Sequence, residues 1–262
     1  MRLFIVDAFT DRPFAGNPAA VALASETISD AQMQQIAAEM NLAETAFPLP
    51  RADGTYGLRW FTPRAEVDLC GHATLATAHA LWTEGGVPRD APLVFETKGG
   101  RLACTPLPDG RIEMDFPATP AAAAPAPEGF AEALGALPVW TGRSRYDLVA
   151  RLESADAVRR LAPDLAALAR LDVRGVTVTA EGDDGFDCVS RFFAPALGVP
   201  EDPVTGSAHC ALAPYWAAET GRTTLRAFQA SPRGGALELE VVGERVRLRG
   251  HAVTVLRGDL QV

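Results

Sequence analysis

One acidic residue stands alone in an apolar strand pattern and could move a proton. In the segment LAETAF, strand alternation places Leu42, Glu44 and Ala46 on one face, so a single carboxyl interrupts two largely apolar faces. Desolvation would disfavour the carboxylate and raise the pKa of Glu44 toward the range useful for proton transfer near neutral pH. The pattern equally allows a glutamate at an exposed strand edge, so both interpretations stay open.

Two glycines open helix-like segments that carry clusters of polar residues. Gly71 is followed by His72, and Gly206 is flanked by Thr205 and Ser207. The free amides and the dipole at such helix starts can bind a carboxylate, and glycine lets the backbone approach it closely. Ordinary capping explains Thr205 and Ser207 equally well, and His72 is either a general acid or a polar residue of the first turn.

Both clusters follow a repeated segment, which predicts a duplicated fold. RWFTP at 59–63 returns as RFFAP at 191–195, and each copy leads into a glycine-opened helix. Phe61 and Phe193 lie 132 residues apart, whereas Gly71 and Gly206 lie 135 apart, so the second copy has a loop three residues longer. Chance similarity of two strand–helix units is the alternative.

The repeat also predicts that the second copy has no catalytic acid. Glu44 precedes Phe61 by 17 residues, and a count of 17 back from Phe193 reaches Val176. We therefore expect the two halves to be chemically different, with proton transfer confined to the first.

The intervening segments indicate the elements that hold these residues. Ser29 with Gln32 three residues later predicts a helix over about 30–41. Residues 117–129, PATPAAAAPAPEG, are typical of a semi-rigid connector, so we place a first half at 1–117 and a second at 118–262, whose last strand could pack on the first half. Pro214 inside the second glycine-opened helix predicts a kink.

Composition narrows the classes of partner. The chain has 262 residues, 48% of them hydrophobic, and a net charge of −9 with its basic residues scattered. Nucleic acid requires a clustered basic footprint, so we expect no nucleic-acid partner. No apolar run approaches the roughly 20 residues of a spanning helix, and the opening lacks the order of a signal peptide. We therefore expect a cytoplasmic protein with no membrane partner and with its four cysteines reduced.

Metal and cofactor sites are not indicated by the usual motifs. No His or Cys pair has the spacing of a zinc site, because His209 and Cys210 are adjacent and point apart on a helix. Glycine-rich nucleotide motifs are absent, and Lys98 lies in the turn-like ETKGG, which does not favour a Schiff base. We expect neither a metal nor a cofactor.

Four ordered motifs together resemble the PhzF-like family, relatives of the phenazine-biosynthesis isomerase within the diaminopimelate epimerase fold. The motifs are DAFTDRPFAGNPAAVAL, EMNLAETAF, RWFTPRAEVDLCGHATLATAHAL and RFFAPALGVPEDPVTGSAH. The resemblance implies an α+β fold of two pseudo-symmetric halves, each a mixed sheet wrapped around a central helix. It also implies a site in the cleft between the halves, and a homodimer.

The resemblance implies a cofactor-independent isomerase that shifts a proton on a small carboxylated substrate. Glu44 is similar to the family's catalytic acid/base, and His72 and Asp202 match catalytic residues that support it. The implied substrate contacts are Asn17, Gly71, Thr205, Gly206 and Ser207.

Two other functions remain open on the same fold. Related epimerases use two cysteines, and here Cys70 stands where the first would be while Thr205 holds the second place. One alternative is therefore an amino-acid racemase or epimerase that uses Glu44 and Cys70 as unlike partners. The other is a binding or regulatory protein that has kept the fold and lost catalysis.

Overall fold

The computed structural model describes residues 1–24 and 28–261 and divides the chain into two compact units. Unit 1 comprises Met1–Asp115 and Arg249–Val262, and unit 2 comprises Phe116–Leu248. The chain thus enters unit 2 two residues before the expected start at 118. The segment Arg249–Val262, which contains the last strand, belongs to unit 1, in agreement with the expectation that this strand could pack on the first half.

The elements alternate between strands and a few helices, which gives an α+β fold. The strands are β1 (Arg2–Ala8), β2 (Asn17–Leu23), β3 (Glu44–Pro50), β4 (Tyr56–Phe61), β5 (Glu66–Val67), β6 (Leu93–Thr97), β7 (Gly100–Pro106), β8 (Ile112–Pro117), β9 (Ala122–Ala123), β10 (Trp140–Arg143), β11 (Leu148–Arg151), β12 (Val176–Glu181), β13 (Cys188–Ala194), β14 (Val199–Asp202), β15 (Thr224–Gln229), β16 (Gly235–Val242), β17 (Arg245–Gly250) and β18 (Ala252–Asp259). The helices are α1 (Asp30–Met40), α2 (Gly71–Glu84), α3 (Phe130–Leu134), α4 (Ala155–Arg160), α5 (Leu165–Leu168) and α6 (Gly206–Thr220). Within the described residues, no helix combines the length and the apolar character that crossing a bilayer takes.

Unit 1 is a mixed sheet around a central helix. Strand β1 pairs antiparallel with β2 and with the C-terminal β18, and β2 runs parallel to β3. Strand β4 is antiparallel to β3 and parallel to β6, which continues antiparallel into β7 and β8. Helix α2 packs against β1, β2, β3 and β18. Ten of its fourteen residues are buried, so its alanine-rich sequence serves a helix covered on nearly every side.

The sequence signals of α1 are confirmed. Ser29 and Gln32 form a capping box at its start, and Asn41 ends it in the left-handed conformation with φ of 50°. Its apolar face, with Met33 and Ile36, packs on the side of the sheet that carries Phe47. That packing holds β3, the strand that begins at Glu44.

Unit 2 repeats the order of elements of unit 1, as the duplicated segment predicts. Strand β10 is antiparallel to β11, which runs parallel to β12, and β13 is antiparallel to β12 and parallel to β15. The short β9 pairs with β10 as β18 pairs with β1. Helix α6 takes the place of α2 and packs on β15 and β16.

The repeat extends to a pair of matching ion pairs. The guanidinium of Arg59 forms two hydrogen bonds with Glu66, at 2.7 and 2.9 Å, and lies over the ring of Phe61. The guanidinium of Arg191 bonds Glu201 with the same two distances and lies over the ring of Phe193. The arginines are 132 residues apart and the glutamates 135, which reproduces both sequence offsets. Duplication therefore explains the similarity better than chance.

Pro214 does not end α6, which continues to Thr220. A proline has no N–H to offer the carbonyl four residues earlier, so the Cys210 oxygen lacks its helical partner. The backbone N–H of Thr119 donates to that oxygen at 3.0 Å. The carbonyl that the proline leaves without a helical partner thus binds the alanine–proline connector to α6.

Candidate active site

Glu44 and His72 form a shielded pair in unit 1. Glu44 is the first residue of β3 with 16% of its side chain exposed, and His72 is the second residue of α2 with 5% exposed. Glu44 Oε2 lies 3.2 Å from His72 Nε2. Because the carboxyl is mostly withdrawn from water, the structure favours the desolvated acid over an exposed edge glutamate.

The imidazole of His72 is neutral and its proton faces Glu44. The Asn17 amide nitrogen lies 3.1 Å from His72 Nδ1, and an amide nitrogen only donates, so Nδ1 accepts and the proton is on Nε2. Burial lowers the pKa of His72 to about 3, which argues against an imidazolium acting as the general acid. The Nε2–H is close to Glu44 without the alignment of a full hydrogen bond. This N–H favours the charged form of the Glu44 carboxyl.

A tight loop holds Asn17 behind His72. The buried carboxylate of Asp7 accepts the backbone N–H of Phe14 at 2.8 Å. Phe9, Phe14 and Gly16 all have φ between 62° and 67°, and a Cβ at Gly16 would approach the Ala8 carbonyl oxygen to 2.1 Å. Asn17 itself is fully buried, and its amide contacts His72. Sequence reasoning did not identify Asp7, although its place in the first motif was available as a signal.

Cys70 completes a three-residue cluster. Its Sγ lies 3.5 Å from His72 Nδ1, and one donor atom each from Glu44, Cys70 and His72 falls within 4.8 Å of the others. This grouping is the constellation expected of a metal site, and spacing along the sequence did not reveal it. However, Glu44 lies against Nε2 whereas Cys70 lies against Nδ1, where the Asn17 N–H already points. One cation cannot take up both ring nitrogens, so the donors are poorly arranged for a metal.

In unit 2, the loop before α6 is organised around Asp202. The Thr205 hydroxyl lies 2.6 Å from Asp202 Oδ2, and the Thr205 N–H donates to Gln229 Oε1 at 2.9 Å. Gln229 is fully buried and also donates to the Asp202 carbonyl at 2.7 Å. Thr205 occupies the N-cap position without a side-chain capping bond, so its hydroxyl holds Asp202 instead. Sequence reasoning missed Gln229, which comes from β15, 24 residues beyond Thr205.

Gly206 and Ser207 begin α6, as expected, but Ser207 has an unexpected partner. Its Oγ accepts a hydrogen bond of 3.1 Å from Arg174 Nη2, and Arg174 Nε donates to Asp147 Oδ1 at 2.8 Å. Neither Arg174 nor Asp147 was identified from the sequence. Their separation from Ser207 along the chain leaves no local signal for the contact.

The two helix starts are equivalent in position and different in chemistry. Cys70 and Thr205 are the N-cap residues of α2 and α6, and neither side chain caps its helix. Thr45 pairs with Phe61 in unit 1, and Val176 pairs with Phe193 in unit 2.

The pairing register places Gly175, the residue before Val176, where Glu44 stands in unit 1. The count that reached Val176 was therefore wrong by one residue, because spacing along the chain does not fix strand register. The absence of a twin acid at this position is confirmed. That the loops at Gly71 and Gly206 share a cleft stays a prediction.

Comparison with known proteins identifies close relatives along the whole chain. A family model described as PhzC-PhzF, phenazine biosynthesis-like protein, matches residues 6–258. An uncharacterized isomerase of Halalkalibacterium halodurans is 46% identical over 98% of this chain and 97% of its own length. Another from Pseudomonas aeruginosa is 49% identical over 98% and 97%. A crystal structure of a PhzF-family phenazine biosynthesis protein from Enterococcus faecalis, 43% identical, matches 100% of this chain and 99% of its own with a TM-score of 0.95.

Proposed function

The chain belongs to the PhzC-PhzF family of phenazine biosynthesis-like proteins, and on this premise we propose that it is an isomerase in which Glu44 moves a proton on a small carboxylated substrate. Full-length relatives named as isomerases support the reaction class. The observation that carries the proposal is the shielded Glu44 carboxylate, 3.2 Å from the protonated nitrogen of a neutral histidine.

One carboxyl is sufficient for this chemistry. Glu44 takes a proton from a substrate carbon, the electron pair of the broken C–H bond enters the conjugated system, and Glu44 then gives a proton to another carbon of that system. Between the two steps the proton on the carboxyl exchanges with solvent. His72 offers its Nε2–H to Glu44 while the carboxyl is charged, and the other polar groups hold the substrate. No electrons leave the substrate, so the proposed reaction needs no cofactor.

The residues of unit 2 have a binding role in this proposal. The Ser207 hydroxyl and the first amides of α6, at Gly206, would bind the substrate carboxylate. Asp202, fixed by Thr205, would accept a hydrogen bond from a polar group of the substrate.

Two residues of unit 1 also have a role in this proposal. Gly71 would contribute backbone amides at the start of α2, and Asn17 acts through His72.

The second candidate, a racemase or epimerase that uses Glu44 with Cys70, is less well supported. Cys70 belongs to the same cluster, which favours a role for its thiol. However, two-sided racemisation needs acid and base on opposite faces of the substrate, and here both groups flank a single imidazole ring within 4.8 Å. Thr205 holds the equivalent N-cap and has no acidic proton to offer near neutral pH.

Solvent exchange tests the proposal. Dihydroanthranilate-type acids incubated with the protein in deuterated water should take up deuterium at carbon, followed by NMR. Glu44→Gln should lower the rate by at least about 10³-fold, because the amide cannot accept the proton. Glu39→Gln is the matched control, since Glu39 is exposed on α1, and it should exchange at the normal rate. Unchanged exchange in Glu44→Gln would remove Glu44 from the mechanism.

The same assay separates the candidates. Cys70→Ala should stay within about 10-fold of the parent if Glu44 acts alone, whereas a loss of several orders of magnitude would indicate the racemase. A protein that binds the acids with no exchange in any form would instead be a non-catalytic binding protein.

A further inference from the structure

Arg174 is a cation held in a fixed orientation next to Ser207. Its Nε donates to Asp147 Oδ1 at 2.8 Å, and its Nη2 donates to Asp147 Oδ2 at 2.5 Å and to Ser207 Oγ at 3.1 Å. Asp147 has only 2% of its side chain exposed. Such a two-bond fork fixes the plane of the guanidinium far better than a single ion pair would.

Two aromatic rings and a glycine surround the paired side chains of Arg174 and Asp147. The guanidinium carbon of Arg174 lies 5.0 Å from the ring centre of Tyr146 and 5.9 Å from that of Phe192. A Cβ at Gly175 would come within 2.4 Å of the Phe192 ring and 3.2 Å of Asp147 Oδ1. The position that carries Glu44 in unit 1 must therefore remain a glycine here for this arrangement to form.

The fork leaves hydrogen-bond donors available. Within the described residues, Arg174 Nη1 has no acceptor, and 36% of the side chain is exposed. Ser207 Oγ accepts from Nη2, so its own proton is directed elsewhere and has no acceptor in the described part of the chain. A cation with two free N–H groups thus lies beside a free hydroxyl donor.

We propose that Arg174 and Ser207 together bind a carboxylate of the substrate, and that Asp147 is the positioning residue that aims Arg174. The inference rests on the proposed function, because it takes Ser207 to be part of the substrate site. It adds a charged determinant of specificity: the substrate is selected as an anion by a fixed guanidinium, and backbone dipoles are not the only source of recognition.

The surrounding charge agrees with an anionic ligand. Arg145, exposed in the turn between β10 and β11, lies over the ring of Tyr146 and has no ion pair among the described residues. Arg174 lies over the same ring, 5.0 Å from its centre. Two cations beside one ring attract a carboxylate more strongly than a neutral ligand.

Binding of a matched pair of probes tests the inference. Anthranilate carries a carboxylate that aniline lacks, so calorimetric titration of both separates recognition of the acid group from recognition of the ring. The parent protein should bind anthranilate at least about 10-fold more tightly than aniline, and Arg174→Gln should remove that difference because it removes a charge-assisted hydrogen bond. Arg160→Gln, which changes an exposed arginine of α4, is the control and should bind normally.

Two further variants exclude a purely structural effect. Arg174→Gln leaves the buried Asp147 without its cation, so the double variant Arg174→Gln/Asp147→Asn restores a neutral interior while still lacking the anion contact. It should fold normally and still fail to prefer anthranilate. Arg174→Lys keeps the charge but not the fork, and it should recover only part of the preference.

Failure of this inference is distinguishable from failure of the proposed function. The exchange assay tests Glu44 and the binding assay tests Arg174, so the two measurements report on separate groups. If parent and Arg174→Gln bind anthranilate equally, or if the parent does not prefer it to aniline, the inference is overturned whatever the exchange assay shows. Preference for inorganic phosphate over anthranilate would overturn the assignment to a carboxylate.

Discussion

The amide nitrogen of Asn17 lies 3.1 Å from Nδ1 of His72, and this contact decides which ring nitrogen carries the proton. In Asn17→Asp the donor becomes a carboxylate, which requires a proton on Nδ1. The ring then either presents a lone pair to Glu44 or becomes a cation that pairs with it. Both outcomes make Glu44 a poorer base, so we expect exchange to fall by about 10- to 100-fold.

The nitrogen chemical shifts of His72 check this prediction directly, because they differ between the two neutral tautomers and the imidazolium. Asn41→Asp is the matched control, since it makes the same chemical change at the exposed end of α1. An Asn17→Asp protein that keeps its proton on Nε2 alone, or exchanges at the parent rate, would show that Asn17 does not set the tautomer.

The sequence predicts those elements whose signal lies in a few neighbouring residues. The capping box at Ser29 predicted α1, and RWFTP with RFFAP predicted the duplication, while the lone carboxyl in LAETAF gave a shielded Glu44 as one of two open interpretations. In each case the residues that carry the information lie within one turn, one strand or one short motif. Periodicity and capping act over that range, so the pattern reports them.

The sequence was insufficient where contacts join distant elements. Asn17 and His72 are 55 residues apart, and Arg174 is 27 residues from Asp147 and 33 from Ser207. Only the strand order brings these groups together. Register caused the one wrong count, Val176 for Gly175, because a shift of one residue exchanges the faces of a strand without changing its composition.

The duplicated arginine forks predict unequal effects on stability. Arg191 bonds Glu201 and also donates to the backbone carbonyl of Leu161 at 2.6 Å, with 11% of its side chain exposed. Arg59 has its second carboxylate partner, Asp30, in solvent. Removing Arg191 leaves Glu201 and a buried carbonyl unpaired, whereas Glu66, which is equally shielded, keeps its ion pair with Lys98 when Arg59 is removed. Arg191→Met should therefore cost about 3 kcal/mol of unfolding free energy and Arg59→Met about 1.

Urea denaturation measures both values. Arg160→Met removes an exposed i,i+4 ion pair with Asp156 and serves as the control, with an expected cost below about 0.5 kcal/mol. Equal losses for Arg191→Met and Arg59→Met would show that the added backbone contacts of Arg191 contribute nothing.

The buried histidine of α6 predicts a loss of stability in mild acid. Burial lowers the pKa of His209 to about 4 from a usual value of 6.5, and its Nδ1 lies 2.8 Å from the Thr205 carbonyl oxygen. Below pH 6.5 the unfolded chain binds a proton that the folded chain refuses until about pH 4. The contribution of neutral His209 to stability is therefore present in full well above pH 6.5. It falls as the pH drops through that window, by up to about 1.4 kcal/mol per pH unit.

Urea unfolding at pH 7 and pH 5 tests the sign and the source. The parent should lose stability between the two values, and His209→Gln should lose about 2 kcal/mol less because it has no proton to bind at that position. His251→Gln, at a partly exposed ring, is the control and should follow the parent. If His209→Gln shows the full loss of the parent, the acid sensitivity arises elsewhere, and His209 is protonated as readily in the folded chain as in the unfolded one.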